Sequence, residues 1–275
     1  MHIRAKKALE SFLAEDIGKG DITSNLLPRK TISANIISRQ QGIVAGVNYA
    51  KEIFVSRGCK VRILKNDGAI IKPNEKVMTI SGTAQAVLSC ERTALNLMSR
   101  MSGIATRTRM LVKKIQKVNP KVNLYSTRKT APGLRFFDKE AVEIGGGYKH
   151  RMSLDQMIMI KDNHLAVAGS VYPLLDKVRK KYKEIEVEVE NLHNAIVSAQ
   201  GGATIIMLDN MHPKEISEVV MVLKKLGLRN KVKLEASGGI DEKNIQSYAK
   251  TGVNIISVGK ITGSVAGLDL SLEVN

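Results

Sequence analysis

Residues 204–239 read TIIMLDNMHPKEISEVVMVLKKLGLRNKVKLEASGG, and their rhythm decides the fold of the larger part of the chain. The apolar run TIIML at 204–208 has the length of a strand. Helical spacing follows from Pro213 to Leu226, with proline near the first turn, where its missing N–H costs nothing. VKLEA at 232–236 is then a second strand. Strand, helix and strand in this order make a right-handed crossover between parallel strands. Working outward, the same beat recurs at NLYST (123–127), MIMI (157–160), IEVEV (185–189) and NIISV (254–258). Strands this apolar need cover on both faces. Each one exits into polar or flexible residues: Thr127-Arg128-Lys129, Lys161-Asp162-Asn163-His164, Glu190-Asn191, Asp209-Asn210, Ser237-Gly238-Gly239 and Gly259-Lys260. In a parallel barrel such exits converge on the C-terminal face, and a doubly wound sheet would also put ligands there. With only about six strands visible, the expected fold is α/β, an open or incomplete parallel α/β barrel.

The first part of the chain has another style. A helix over about residues 2–15 leads into GKGDITS (18–24). Short strand-like runs follow at TISANIIS (31–38), GIVAG (42–46) and KVMTIS (76–81), with a helical stretch near 48–57. This mixture predicts a smaller layered α/β domain. From Ala84 to about Lys117 the spacing of Leu88, Leu95, Met98, Met101, Ile104, Leu111 and Ile115 predicts one long helix, with Gly103 as a break or a close-packing point. The predicted division is 1–105 for the N-terminal domain with the long helix and 106–275 for the barrel, the extreme C-terminus packing back on the first domain.

Composition narrows the partners. The 43 Lys and Arg against 26 Asp and Glu give +17, which suits a nucleic acid, a small anionic substrate or a lysine-rich solvated surface. Lysine is scattered, aromatic residues are 4% and tryptophan is absent, so no basic block interleaved with stacking rings appears. We therefore expect no nucleic-acid partner. The longest apolar run, Val219–Leu223, is far short of the roughly 18 residues of a membrane span. The amphipathic N-terminus is no signal peptide, and Cys59 and Cys90 suit a reducing cytoplasm. Five histidines and two cysteines show no zinc-ligand spacing.

At one face the barrel would gather Arg128, Lys129, Lys161, His150 and Arg151 against Glu190 and Asp209. So many cations call for an anionic guest, because unpaired buried charges are costly. Arginine suits planar carboxylates and phosphates by two-pronged hydrogen bonds, and lysine acts as a point charge. Glu190 and Asp209 suit Mg²⁺ or ribose hydroxyls. Ser237-Gly238-Gly239 and Val258-Gly259-Lys260 offer backbone N–H groups to a phosphate. Glu190 is read as the acid that faces the site, with Glu188 turned the opposite way, and a merely solvated role for one of the two is the alternative. Plainer roles compete: a turn for SGGI, surface histidines for His150 and His164, and a solvated helix face for Arg92.

Taken in order, nine strings resemble the quinolinate phosphoribosyltransferase family: GKGDITS (18–24), ERTALNLMSRMSGIAT (91–106), TRKTAPGLR (127–135), GGGYKHRMSL (145–154), IMIKDNH (158–164), VEVEN (187–191), IIMLDN (205–210), LEASGGI (234–240) and IISVGKIT (255–262). The resemblance implies an α/β sandwich joined to an open α/β barrel, with a homodimer as the smallest working unit. It implies phosphoribosyl transfer from phosphoribosyl pyrophosphate to quinolinate with decarboxylation, giving nicotinate mononucleotide, CO₂ and pyrophosphate. By the same likeness Arg128, His150, Arg151 and Lys161 surround the two carboxylates of quinolinate, and Arg92 reaches that site from the neighbouring subunit. Thr127, Lys129, Glu190, Asp209, Ser237–Gly239 and Val258–Lys260 would hold the phosphoribosyl donor and its Mg²⁺. Lys129, Lys161, Glu190 and Asp209 are the expected catalytic residues. Lys260 and Gly263 depart from the pattern, which carries a small residue and a histidine there. A phosphoribosyltransferase acting on another acid such as nicotinate, and a basic nucleic-acid-binding module, are the alternatives; the strand-end carboxylates would repel a phosphate backbone.

Overall fold

The computed structural model describes residues 3–275, so residue 2 of the expected first helix lies outside the described residues. The chain divides into two compact units that interleave in sequence. One takes the chain up to Arg109, then Thr130–Gly146 and Ile261–Asn275; the other is Met110–Lys129 and Gly147–Lys260. The main segment of the first unit ends four residues past the expected cut at 105, inside α3. The helix at the cut runs unbroken, and two later segments return to the first unit.

In chain order the first unit contains α1 (Ile3–Ile17), β1 (Thr31–Ser38), β2 (Gly42–Ile43), α2 (Val47–Ser56), β3 (Lys60–Ile63), β4 (Ile70–Ile71), β5 (Lys76–Thr83) and most of α3 (Ala84–Gln116). It also holds α4 (Arg135–Ile144) and the last strand, β12 (Leu270–Val274). Its main sheet is antiparallel in the order β12-β1-β5-β3, so the C-terminal strand closes against the first strand of the chain. Ile36, Met78 and Ile80 of the sheet, Ile53 and Phe54 of α2 and Met98, Met101 and Ile104 of α3 are fully buried. Each such side chain contributes about 1.5–3 kcal/mol on leaving water.

Gly103 does not break α3. A Cβ there would lie 2.0 Å from the carbonyl oxygen of Ala266, so the glycine lets the returning C-terminal segment cross the helix at backbone distance. Three turns of chain are tied together nearby. Arg100 donates from Nε and Nη2 to the two oxygens of buried Asp138 on α4, at 2.7 and 2.9 Å, and from Nη2 to the Thr262 carbonyl at 3.2 Å. A two-pronged pair of this kind fixes direction as well as distance.

The second unit holds β6 (Asn123–Tyr125), β7 (Ile158–Ile160), α5 (Asp162–Ala168), α6 (Val171–Val178), β8 (Ile185–Val189), α7 (Leu192–Gln200), β9 (Ile205–Asp209), α8 (Pro213–Lys225), β10 (Lys233–Ser237), α9 (Ile245–Ala249) and β11 (Ile255–Ser257). Its six strands lie in the order β6-β11-β10-β9-β8-β7, with every pairing parallel. The order advances one strand at a time and then sets the first strand beside the last. A doubly wound sheet would reverse at a switch point, whereas this order is that of a barrel. It stays open between β6 and β7, where the chain leaves for the first unit through Thr130–Gly146. The expected incomplete barrel is the observed one.

The strands reverse the usual polarity of a barrel wall. Val187, Val189, Ile206, Leu208, Leu234 and Ala236 are buried on one side of the sheet. Alternation by two then places Glu186, Glu188, Met207, Asp209, Glu235 and Ser237 on the other. α8 covers the apolar side with Ile216, Val219, Val220 and Leu223, and starts at Pro213 with Glu215 accepting from the His212 N–H at 2.6 Å.

Candidate active site

The C-terminal ends of the barrel strands enclose a cavity of about 400 Å³. β6 delivers Ser126, Thr127, Arg128 and Lys129 to it, and the segment after α4 delivers His150 and Arg151. β7 adds Met159 and Lys161, β8 Glu188, β9 Met207 and Asp209, β10 Glu235 and Ser237, and β11 Ser257. Eight residues expected from the sequence thus meet here: Thr127, Arg128, Lys129, His150, Arg151, Lys161, Asp209 and Ser237.

Local backbone aims several of them. His150 and Asn210 hold φ of +54°, a left-handed conformation uncommon outside glycine but several-fold enriched in asparagine and histidine. Asn210 Nδ2 donates to Asp209 Oδ2 at 2.6 Å. The Lys129 N–H donates to Thr127 Oγ1 at 3.1 Å. Gly259 passes so close that a Cβ would lie 2.9 Å from Lys129 Cδ, and a Cβ on Gly238 would meet the Asn210 backbone nitrogen at 2.6 Å. Those two glycines, with Gly239 at φ +60°, make room at the rim and do not line the cavity. Val258 is buried, and Lys260 lies 3.9 Å from Asp241 at the surface.

The electrostatics are uneven. Arg151 is buried and donates to the Met157 carbonyl and the Met159 sulfur. Burial and then the neighbouring Arg128 pull its guanidinium below the ordinary arginine range. Lys161 pairs through Nζ with Glu188, while its N–H donates to His164 Nδ1 at 2.9 Å. His164 is thereby a helix-start cap for α5. Deeper in the barrel, His150 Nε2 lies 3.1 Å from Glu186 Oε2 and 3.8 Å from Glu235 Oε2. Both acids are fully buried, and burial pushes each up to about 8.

Two more of the expected residues lie outside the cavity lining. Glu190 is exposed and does not line the cavity; Glu188 does. Residues two apart on a strand share a face, so Glu188 turns inward with Glu186, and the chain has already begun its bend at Glu190. Arg92 lies on α3 in the first unit, exposed and outside the cavity lining of its own chain. Glu186, Glu188 and Glu235 were missed as site acids. Their signal was the strict alternation of IEVEV and the single acid inside VKLEA, which put charge on one side of otherwise apolar strands.

Fold and site together define an enzyme for small, strongly anionic substrates, built on an open parallel α/β barrel. The chain belongs to the quinolinate phosphoribosyl transferase family: the model of that family's C-terminal domain matches residues 104–273, and that of its N-terminal domain residues 21–102. It is 44% identical over 273 residues to a probable nicotinate-nucleotide pyrophosphorylase (carboxylating) of Methanothermobacter thermautotrophicus, covering 97% of each chain. It is 46% identical over 255 residues to one of Archaeoglobus fulgidus, covering 93% of this chain and 98% of that one. The solved nicotinate-nucleotide pyrophosphorylase of Ehrlichia chaffeensis superposes with a TM-score of 0.94 at 36% identity over the whole of both chains. That of Francisella tularensis gives 0.92 at 37%, covering 99% of this chain and 96% of the other.

Proposed function

We propose that the protein transfers the phosphoribosyl group of phosphoribosyl pyrophosphate to quinolinate and decarboxylates the product, supplying nicotinate mononucleotide for NAD biosynthesis. The observation that carries this reading is the convergence of Arg128, Lys129, His150, Arg151 and Lys161 on one cavity beside Glu188 and Asp209, in a chain of this family. A pyridine with two adjacent carboxylates needs several cations, and nicotinate, with one, would leave some of them uncompensated.

Arg128, His150, Arg151 and Lys161 take the carboxylates and hold the pyridine nitrogen towards the anomeric carbon of the donor. Lys129 and the Ser237–Gly239 rim take the phosphoribosyl end. The nitrogen lone pair forms the new bond to the anomeric carbon as the bond to pyrophosphate breaks, so no protein nucleophile is required. The carbon–carbon bond to the adjacent carboxylate then breaks, its electron pair stays on the ring carbon beside the positive pyridinium nitrogen, CO₂ leaves and that carbon takes up a proton from solvent. Positioning and electrostatic stabilisation supply the catalysis. Mg²⁺ would neutralise the pyrophosphate when bound; it prefers oxygen ligands, and the cavity-lining Asp209 carboxylate fits it, whereas exposed Glu190 does not face the cavity. The working unit in this reading is a homodimer in the cytoplasm, with Arg92 entering the partner's cavity.

Incubating the purified protein with quinolinate, phosphoribosyl pyrophosphate and Mg²⁺ should release CO₂ and nicotinate mononucleotide. Turnover of nicotinate with none of quinolinate would overturn the proposal.

A further inference from the structure

The barrel holds an acidic pair that the proposed reaction does not use. Glu186 on β8 and Glu235 on β10 are fully buried, and their carboxylates converge on the Nε2 edge of His150. The Ser257 hydroxyl donates to Glu235 Oε1. Neither oxygen of Glu186, nor Oε2 of Glu235, has an aligned hydrogen-bond donor among the described residues. A buried carboxylate so placed is costly unless a cation stands against it; His150 lies against both carboxylates, and Arg151 and Lys161 are further cations near Glu186.

We propose that Glu186 and Glu235 are positioning residues for substrate recognition: they hold the His150 ring in place and keep it charged, so that the cavity wall presents a cation to a carboxylate of quinolinate. This rests on the function proposed above.

Two further observations support it. Burial raises both acids, and the nearby Glu186 raises Glu235 further. Two carboxylates this close do not both ionise readily, so the pair shares its charge, and the imidazole edge is placed against both of them. His150 sits at φ +54°, a backbone conformation that its surroundings must hold in place. The other groups around the trio are Arg151 beside His150, Lys161 at the end of β7, Glu188 further along β8, and Tyr125 on β6, whose ring meets the imidazole edge-on at 5.7 Å. The donor atoms of His150, Glu186 and Glu235 all lie within 4.8 Å of one another, which also suits a divalent cation. His150 lines the cavity together with Arg128, Lys129, Arg151 and Lys161, a set of cations that suits an anion better than a further cation.

Glu186→Gln, Glu235→Gln and the double variant keep the side-chain shape and remove the charge. We expect the KM for quinolinate to rise about tenfold in Glu186→Gln and further in the double variant, with the KM for phosphoribosyl pyrophosphate changed less than about twofold. In ¹⁵N-histidine-labelled enzyme without substrate, the His150 titration should move to lower pH in both single variants, with His193 on α7 unmoved. Unchanged quinolinate KM with an unmoved His150 resonance would overturn the assignment, even if the variants lost stability. So would a stoichiometric metal ion in the purified protein that the variants lose. The two acids sit on different strands, so one variant failing to fold leaves the other to decide. Failure of the wild type to turn over quinolinate would sink the proposed function alone, because the resonance test needs no substrate.

Discussion

VEVEN carries two acids, and either can end a strand. The reading that favoured Glu190 placed it past the last position whose direction the ladder fixes, because β8 stops at Val189. Glu188 is the acid that the ladder holds inward, beside Lys161. Removing it leaves Lys161 without that partner and should cost roughly 10²–10³ in kcat/KM, the size typical of one well-aimed charge contact. Glu190→Ala should stay within about twofold of wild type, as befits an exposed residue outside the cavity. Steady-state kinetics of the two alanine variants decide the matter, and the opposite ranking would restore Glu190 to the site. The cations were legible for a physical reason: strand exits such as Thr127-Arg128-Lys129 announce themselves as polar breaks after apolar runs. Glu186 and Glu235 were not, because a lone acid within an apolar strand reads as a solvent-facing position. Here the strand faces are inverted, with the apolar side under helices and the polar side inside.

At the scale of elements, α3 shows what periodicity can and cannot tell. The spacing identified a helix from Ala84 to about Lys117, and the element runs Ala84–Gln116. Six of its seven marked apolar positions are buried, and only Leu88 is half-exposed. Spacing alone left Gly103 as either break or contact, because the partner backbone comes from residue 266, far along the chain. The contact predicts a reversal of helix propensity. Replacing an interior helical glycine by alanine ordinarily gains about 1 kcal/mol. Gly103→Ala must instead displace the Ala266 carbonyl, and we expect a net loss of about 1–3 kcal/mol, the usual cost of overpacking. Urea unfolding measures this directly as a lower midpoint at unchanged m-value. A variant as stable as wild type would mean that the C-terminal segment does not lie against the helix.

For the whole molecule, the strand–helix rhythm made the open barrel legible and the extreme C-terminus was expected on the first domain, but the return of Thr130–Gly146 was not read. No linker marks Thr130–Gly146 or Ile261–Asn275 as belonging to the first unit, since membership is fixed by contacts distant in sequence, such as β12 on β1 and Arg100 on Asp138. Arg92 sits on this first unit, exposed, while the cations of the cavity sit on the second. In a homodimer that shares its sites, Arg92→Ala and Lys161→Ala each disable both sites, yet for different reasons. A mixed dimer places both defects in one site and leaves the other intact, since a shared site would take Arg92 from one chain and Lys161 from the other. Random exchange makes about half of the dimers mixed, so about a quarter of wild-type activity should return when the two inactive proteins are combined. Native mass spectrometry of a tagged pair establishes that subunits have exchanged. Exchange without recovered activity would confine each site to one chain, and Arg92 would then be a solvated arginine on a long helix.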